Sequence, residues 1–487
     1  MKNKKDKNKK SKEKIIDTPI YDELIKGYLP YAAANVMRML PNVIDGLKET
    51  QRKILYIMYK NRIFNLTKCN KIIGDVTPYV DTGDSGIYGA LVRMGQYERY
   101  KHTLITPQGN FGYINNGLDE FADQRYTEAS LSEFTRDFYF PEDIEAAIMD
   151  SNYSGDLFFP RALPTLIPMG LVLGGTGVCP GYKYDCPPHS LKGVAEAYIK
   201  YIENLNSLVI DGKLNEKYIE KLVKVDFPNK SKITKTSPKG LLTGKGQVSV
   251  EGLYKIEEYS YGRLKLSITE LPYLVSTPSF CNHLKNFHTT KELFSEMHDY
   301  SGKEGILIEL ISRKDVTRDQ IVDYLYATNF SARFNYSLIF NDERLAKRLN
   351  IFEVFQRHYD YKTYCIVTHY KAKKGTLERR KINMEALKYI LEDKSRRDQF
   401  FEILKKSDKE TIYLNMYKKF GKSIKNLDNE AIDYITNGRF NLFMNKAETI
   451  NNELKKIYED LKNTNWIIEH PDRFLINEIR DKIKKYK

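Results

Sequence analysis

Ala122-Asp123-Gln124-Arg125-Tyr126-Thr127-Glu128-Ala129-Ser130 is the stretch from which the rest of this chain can be read. It follows Gln108-Gly109-Asn110-Phe111-Gly112 after a short loop. A tyrosine beside an arginine, in a basic chain, points to chemistry on a phosphate. A free phenol ionises only near about pH 10. A guanidinium next to it stays charged and favours the phenolate. The same cation can grip a phosphodiester through two hydrogen bonds. Phenolate leaves more readily than a sugar alkoxide, so a phosphotyrosyl ester forms and reverses without ATP spent on that bond. The plain alternative is a tyrosine whose ring packs in a wing or loop and whose hydroxyl is solvated. With 36 tyrosines in the chain, the tripeptide alone does not choose between the two.

Upstream, the sequence reads as helices and short loops over 15–155. The spacing predicts a helix over 46–61, with Leu47, Ile54, Leu55 and Met58 on one face and Lys48, Arg52 and Lys53 on another. A second short helix covers 68–76 and a turn covers 77–83. Asp84 or Ser85 is expected to cap a third helix running to 96. Helix, turn, helix, with Arg93 on the second helix, suits docking on a duplex. Segments around 104–105 and 111–114 are expected to form a wing.

Downstream, residues 156–335 change character. Short β-rich runs at 247–250, 264–268 and 305–311 alternate with helical pieces at 278–286 and 318–327, an α+β pattern. Residues 336–487 are mostly helical. A helix over 351–371 carries Ile351, Val354, Phe355, His358 and Cys365. Ala447, Ile450, Leu454, Ile457 and Leu461 recur at the spacing of a coiled-coil seam. Pro471 breaks that seam, and Ile476, Ile479 and Ile483 line one more helix.

The length of 487 residues predicts roughly three domains. The net charge of +14 favours an anionic partner, nucleic acid before membrane surface. Residues 1–14 hold +6 of it, which leaves +8 for the rest. That tail reads as a solvated, disordered arm able to make a loose, salt-sensitive contact. The five cysteines (Cys69, Cys179, Cys186, Cys281, Cys365) contain no Cys-x-x-Cys, which argues for a reducing compartment and against a zinc ribbon. No stretch is apolar for the length of a membrane span, and the basic N-terminus lacks the apolar core of a secretory signal. A cytoplasmic, nucleoid-associated protein with no membrane partner is expected.

Two glycine-rich segments mislead. Gly240-Leu241-Leu242-Thr243-Gly244-Lys245-Gly246 is one residue short of a phosphate loop and lacks Ser or Thr after the lysine. Gly174-Gly175-Thr176-Gly177 runs into Pro180, which has no N–H to offer at the start of a dinucleotide-binding helix. No Asp-x-Asp pair suits magnesium, so the chain is expected to bind neither metal nor ATP itself.

Several further motifs share one source. They are Leu40-Pro41-Asn42-Val43-Ile44-Asp45-Gly46-Leu47-Lys48, Gly83-Asp84-Ser85 through Tyr88, Val92-Arg93-Met94, and Leu163-Pro164-Thr165 through Ile167-Pro168. Pro187-Pro188-His189 and Thr269-Glu270-Leu271-Pro272-Tyr273 complete the set. With Gln108–Gly112 and Arg125–Glu128, they occur in the order found in the A, or breakage-reunion, subunit of bacterial type IIA topoisomerases. Gyrase, topoisomerase IV and their phage relatives form that family, and the chain resembles it from about Tyr21 to its end. The resemblance implies an α+β multidomain fold. It comprises a disordered basic tail over 1–20, a winged-helix (helix-turn-helix) DNA-cleavage domain over 21–155, an α/β tower domain over 156–335, and a coiled-coil hairpin with a dimerisation gate over 336–487.

Carried over by position, the resemblance makes Tyr126 the nucleophile for a DNA 5′-phosphate, with Arg125 and Arg38 as catalytic partners. Lys48, Arg52, Lys53, Ser85, Arg93 and Lys245 would bind DNA, and Val178 would wedge between base steps. Double-stranded DNA, a second copy of the chain, and a B-type subunit holding both Mg2+ and ATP are the implied partners, in an A2B2 assembly. The activity implied is that of an ATP-dependent type II DNA topoisomerase forming a reversible 5′-phosphotyrosyl link. A catalytically silent DNA-binding or architectural protein that keeps the same fold is the alternative. Four positions depart from the family pattern. Val80 and Thr82 stand where two histidines are usual, Gln51 replaces another, and Gly89 replaces an acidic residue that helps anchor quinolone drugs, so insensitivity to quinolones is expected. The sequence stops after the hairpin, so no DNA-wrapping domain is expected, and with it relaxation or decatenation rather than supercoiling.

Overall fold

The computed structural model describes residues 17–486 apart from 116, 118, 153, 204–220, 237–239, 303–304, 407–410, 412–414, 416–417 and 421–446. The chain mixes long helices with several small sheets. Most of the expected basic tail, and the far end of the expected hairpin with its dimer contact, lie outside the described residues.

The first part is built from α1 (Ile20–Met39), α2 (Glu49–Lys60), α3 (Cys69–Val76), α4 (Asp84–Met94) and α5 (Glu133–Tyr139), with a three-stranded sheet beside them. That sheet orders β1 (Thr67–Lys68), β3 (Glu128–Leu131) and β2 (Ile105–Gln108), with β3 central. The strand expected over 111–114 is absent. The partner of 105–108 is the segment right after Tyr126, because its alternating Ala129 and Leu131 fill the core that Asn110, Tyr113 and Asn115 cannot. The helix expected from 46 starts at Glu49. Gly46 takes φ +69° instead, and a Cβ there would lie 2.3 Å from the backbone of Gly170. The expected Asp84 or Ser85 cap is not made. Gly83 is the capping residue, and Asp84 sits in the first turn, where its charge favours the helix dipole.

Two larger sheets follow. The first orders β4 (Gly175–Cys179), β5 (Tyr182–Cys186), β12 (Ser331–Ser337), β7 (Lys245–Glu251) and β6 (Lys232–Thr236), with α6 (Leu191–Glu203) nearby. The second orders β8 (Leu253–Tyr259), β9 (Arg263–Glu270), β11 (Ile308–Ser312) and β10 (Phe294–Asp299), flanked by α7 (Thr277–Asn286) and α8 (Arg318–Ala327). The second sheet has its own core around Leu266, Phe280, Leu310 and Leu325. The first shares one continuous core with α2–α5 and the helices beyond. The expected boundary between 335 and 336 therefore falls inside β12, a strand paired over its length with β7.

The helix expected over 351–371 runs much further, as α9 (Ile351–Glu392, 42 residues). Asn350 and Glu353 cap it reciprocally, at 2.9 and 2.7 Å. Its later turns are charged but pack against α10 (Ala447–Glu469), which buries Ile450, Leu454 and Ile457. The last helix, α11 (Pro471–Lys485), returns to α5 and α6. Lys482 and Lys485 each reach Asp137 at 2.7 Å, Tyr486 reaches it at 2.8 Å, and Arg480 reaches Glu203 at 2.6 Å. Burial opposes ionisation of Asp137, but those hydrogen bonds outweigh it and hold the carboxyl at about 2.

Two buried histidines, His189 of the Pro187-Pro188-His189 motif and His358 of α9, prove structural. His189 bonds Leu171 O and the Tyr336 hydroxyl, both at 2.8 Å, and His358 bonds Thr165 and Tyr198 at 3.0 and 2.7 Å. Burial pushes His189 down to about 4 and His358 to about 3, the latter helped by the charge of Lys362. Both stay neutral in the fold, whereas the unfolded chain protonates them near about pH 6.5. Their stabilisation is complete above that pH and is lost as pH falls toward the folded values. Each is expected to cost about 1.4 kcal/mol per pH unit in that window. The urea midpoint should therefore fall between pH 7 and pH 5, and His358→Gln should flatten the fall. An unchanged slope in the variant would refute the assignment.

Candidate functional site

Tyr126 sits on a turn in front of β3. Its N–H bonds Asp123 O at 2.9 Å, and Ala122 N–H bonds Asn110 O at 3.0 Å. Gly109, at φ +99°, brings its backbone against this turn, where a Cβ would meet Tyr126 O and Thr127 Cγ2 at 3.3 Å. That contact is the physical reason Gln108–Gly112 and Arg125–Glu128 belong together. The ring of Tyr126 is 69 % exposed, and among the described residues its hydroxyl has no hydrogen-bond partner. Arg125 lies 5.7 Å from the ring centre and donates from Nε to Asp123 at 3.1 Å. This hydrogen bond holds the Asp123 carboxyl below its ordinary value and raises Arg125. An ion pair so exposed is weak and screened by solvent, so the guanidinium can exchange Asp123 for a phosphate.

The cations carried by α1, α2 and α4 fall into two groups. Lys48, before the first turn of α2, is lowered by burial and then by the charge of Arg93, and no carboxylate pairs with it among the described residues. Two cations drawn together without a shared acid form a place for an anion. Arg93 is exposed and touches Asp119 at 3.3 Å. Ser85 is exposed in the first turn of α4. Arg38, in the last turn of α1, reaches Thr82 Oγ1 at 3.5 Å, so one of the expected histidine positions contacts an arginine through a hydroxyl. Gln51 accepts the Lys48 N–H at 3.0 Å and so orders the start of α2.

Arg52 and Lys53 are corrections. Each is 4 % exposed. Arg52 Nη2 donates to Asp45 Oδ1 and to Leu47 O at 2.9 Å, and its Nε pairs with the other Asp45 oxygen. Lys53 pairs with Glu49 at 2.7 Å and lies 4.0 Å from the Phe159 ring centre. The sequence offered a charged helix face, but chain from 158–163 covers it, so both cations are spent inside the protein.

Val178 is 65 % exposed, and Lys245 is exposed at the start of β7. The register puts both on one face of the five-stranded sheet. Val178 faces Lys183, and Asp185, two residues on, faces Ser337, which faces Lys245. The same face carries Lys235 and Arg333, both opposite Ser249. Sequence reasoning missed Lys183, Lys235 and Arg333. The signal was the alternation in Lys245–Glu251 and Ser331–Ser337, which buries Val248, Val250 and Tyr336 and turns the polar residues out. α1 was missed too. Ile20, Tyr21, Leu24, Tyr28, Leu29 and Tyr31 stand exposed along it. Among the described residues no group of three His, Cys, Asp or Glu side chains could hold a metal ion, and no helix is long and apolar enough to cross a membrane.

The family model for the A subunit of DNA gyrase/topoisomerase IV matches residues 38–482. The DNA gyrase A subunit of Borreliella burgdorferi is 33 % identical over 355 residues, which is 71 % of this chain and 43 % of that protein. The DNA topoisomerase 4 A subunit of Staphylococcus aureus is 29 % identical over 463 residues, which is 92 % of this chain and 56 % of that protein. The chain thus spans about half the length of these curated relatives.

Proposed function

The chain belongs to the family of DNA gyrase/topoisomerase IV A subunits, and from that premise we propose that it is the DNA breakage-reunion subunit of a type II topoisomerase. The observation that carries this is Tyr126, an exposed hydroxyl without a partner among the described residues, on a turn tied at both ends. Its oxygen attacks a backbone phosphorus and its proton passes to solvent. The 3′ oxygen of the broken strand leaves and takes up a proton. The strand then ends in a 5′-phosphotyrosyl ester, and attack by the same 3′ hydroxyl reseals it. Arg125 and Arg38 neutralise the charge on the phosphate. Lys48, Arg93 and Ser85 seat the duplex beside α4, in a domain we read as winged-helix. The sheet face with Val178 and Lys245 meets the duplex further out, Val178 as the wedge. Arg52 and Lys53 take no part.

Two copies of the chain would cut the two strands, one each. Mg2+ and ATP are assigned to a B-type subunit in an A2B2 assembly, as the family resemblance implies. The uncovered apolar residues of α1 supply a surface for such a partner. A chain of this kind works at the nucleoid. The silent architectural protein is the other reading, motivated by Val80 and Thr82.

Plasmid DNA incubated with the chain, its cognate B subunit, Mg2+ and ATP, then quenched with detergent, separates the two. Linear DNA with protein on both 5′ ends is expected, and a quinolone should leave its yield unchanged, because Gly89 offers no acid. Duplex binding without covalent adduct would establish the architectural reading instead.

A further inference from the structure

The helix proposed to lie on the duplex also grips the nucleophile's turn, through one side chain. Tyr88, on the buried side of α4, donates its hydroxyl proton to Ala122 O at 2.6 Å. That proton is then committed, so Thr127 Oγ1, 2.8 Å away, is the donor in the second hydrogen bond. One phenol oxygen therefore spans the turn, touching residue 122 before Tyr126 and residue 127 after it. Thr127 is fixed from behind as well. Its carbonyl accepts the N–H of Cys69, the first residue of α3, at 3.0 Å. The Tyr88 ring is held edge-on to Phe121 at 5.4 Å. Tyr88, Thr127 and Cys69 are all buried, while Tyr126 between the clamped ends stands in solvent. Burial raises the Tyr88 phenol above its ordinary value, so it stays a donor at neutral pH.

We propose that Tyr88 is a positioning residue for strand cleavage, its hydroxyl aiming Tyr126 by clamping Ala122 and Thr127 to the helix that seats the duplex. This rests on the reading of Tyr126 as nucleophile. Ser85 and Arg93 lie on the same helix, so DNA bound there and the attacking oxygen share one rigid support. Without the clamp, the turn samples orientations in which the oxygen misses the phosphorus, and a misplacement of about 1 Å can cost on the order of 100-fold in rate.

Tyr88→Phe keeps the ring and removes the hydroxyl, and Thr127→Val removes its partner at nearly constant shape. In single-turnover cleavage with the B subunit, each is expected to lose about 10- to 100-fold, with duplex affinity unchanged. The double variant should fall no further than Tyr88→Phe alone, since that variant already lacks the bond to Thr127. Thr127→Ser should restore the rate. Amide hydrogen exchange over 123–127 should quicken in both variants while α4 keeps its protection. The exchange measurement needs no DNA or partner, so it separates the two ideas. Wild-type protein that forms no adduct overturns the nucleophile reading, and with it any catalytic role for Tyr88. Unchanged exchange in Tyr88→Phe overturns the clamp itself. A wild-type cleavage rate, or loss of duplex binding in step with cleavage, overturns positioning.

Discussion

Tyr126→Phe is expected to abolish the covalent DNA adduct, a loss on the order of 10^4-fold or more, as for removal of other catalytic nucleophiles. No other group can replace the missing oxygen in forming the ester. The same change should leave the fold untouched. The ring is exposed and its hydroxyl has no partner among the described residues, so nothing buried is left unsatisfied. Stability should stay within about 0.5 kcal/mol of wild type. Duplex affinity should persist, because the cations proposed to seat the duplex, Lys48 and Arg93, are elsewhere. Detergent-trapped plasmid cleavage, a melting curve and filter binding on one preparation test all three parts. Adduct at the wild-type level in the variant would remove Tyr126 from the mechanism, and another of the chain's tyrosines would have to be sought.

Asp45→Ala is expected to be the most damaging single change to stability, at about 3–5 kcal/mol. Asp45 is fully buried. Its carboxylate receives the Leu47 and Leu163 N–H groups, each at 2.9 Å, together with the Arg52 guanidinium. Removing it strands a buried cation and two backbone donors at once. Burial opposes the charge on Arg52, and Asp45, by its charge and hydrogen bonds, more than restores it, so Arg52 sits above its ordinary value. Replacing both partners, as in Asp45→Ala with Arg52→Met, should recover part of the loss, since no charge is then left unpaired. The urea midpoint reads the effect. A drop below about 1 kcal/mol in the single variant would mean that other groups, or water, already satisfy Arg52.

This pair also marks how far the sequence could be read. The motif from Leu40 to Lys48 was legible as a signature. Its physical content, a carboxylate binding Leu163 across the chain and a glycine against Gly170, was not, because both contacts join segments more than a hundred residues apart. The helical periodicity of α2 was right about Ile54, Leu55 and Met58. It was wrong about Arg52 and Lys53, since hydrophobic patterning sends charge outward and cannot see a covering segment. The wing strand was misplaced for a related reason. Two segments could pair with Ile105–Gln108, and only packing of Ala129 and Leu131 decides which does. The length of α9 escaped because its second half is charged and buries little until α10 lies along it.

What the sequence determined by itself was chemical identity: the tyrosine with its arginine, the order of motifs, the basic balance, and the α+β class. These are local facts, carried by residue type and short spacing. The tertiary structure decided which charges remain available. It withdrew Arg52 and Lys53 into ion pairs and set Lys48 against Arg93. It also brought Lys183, Lys235 and Arg333 onto one face with Val178 and Lys245. Desolvation and strand register are properties of the neighbours a residue acquires on folding, and no window of sequence contains them.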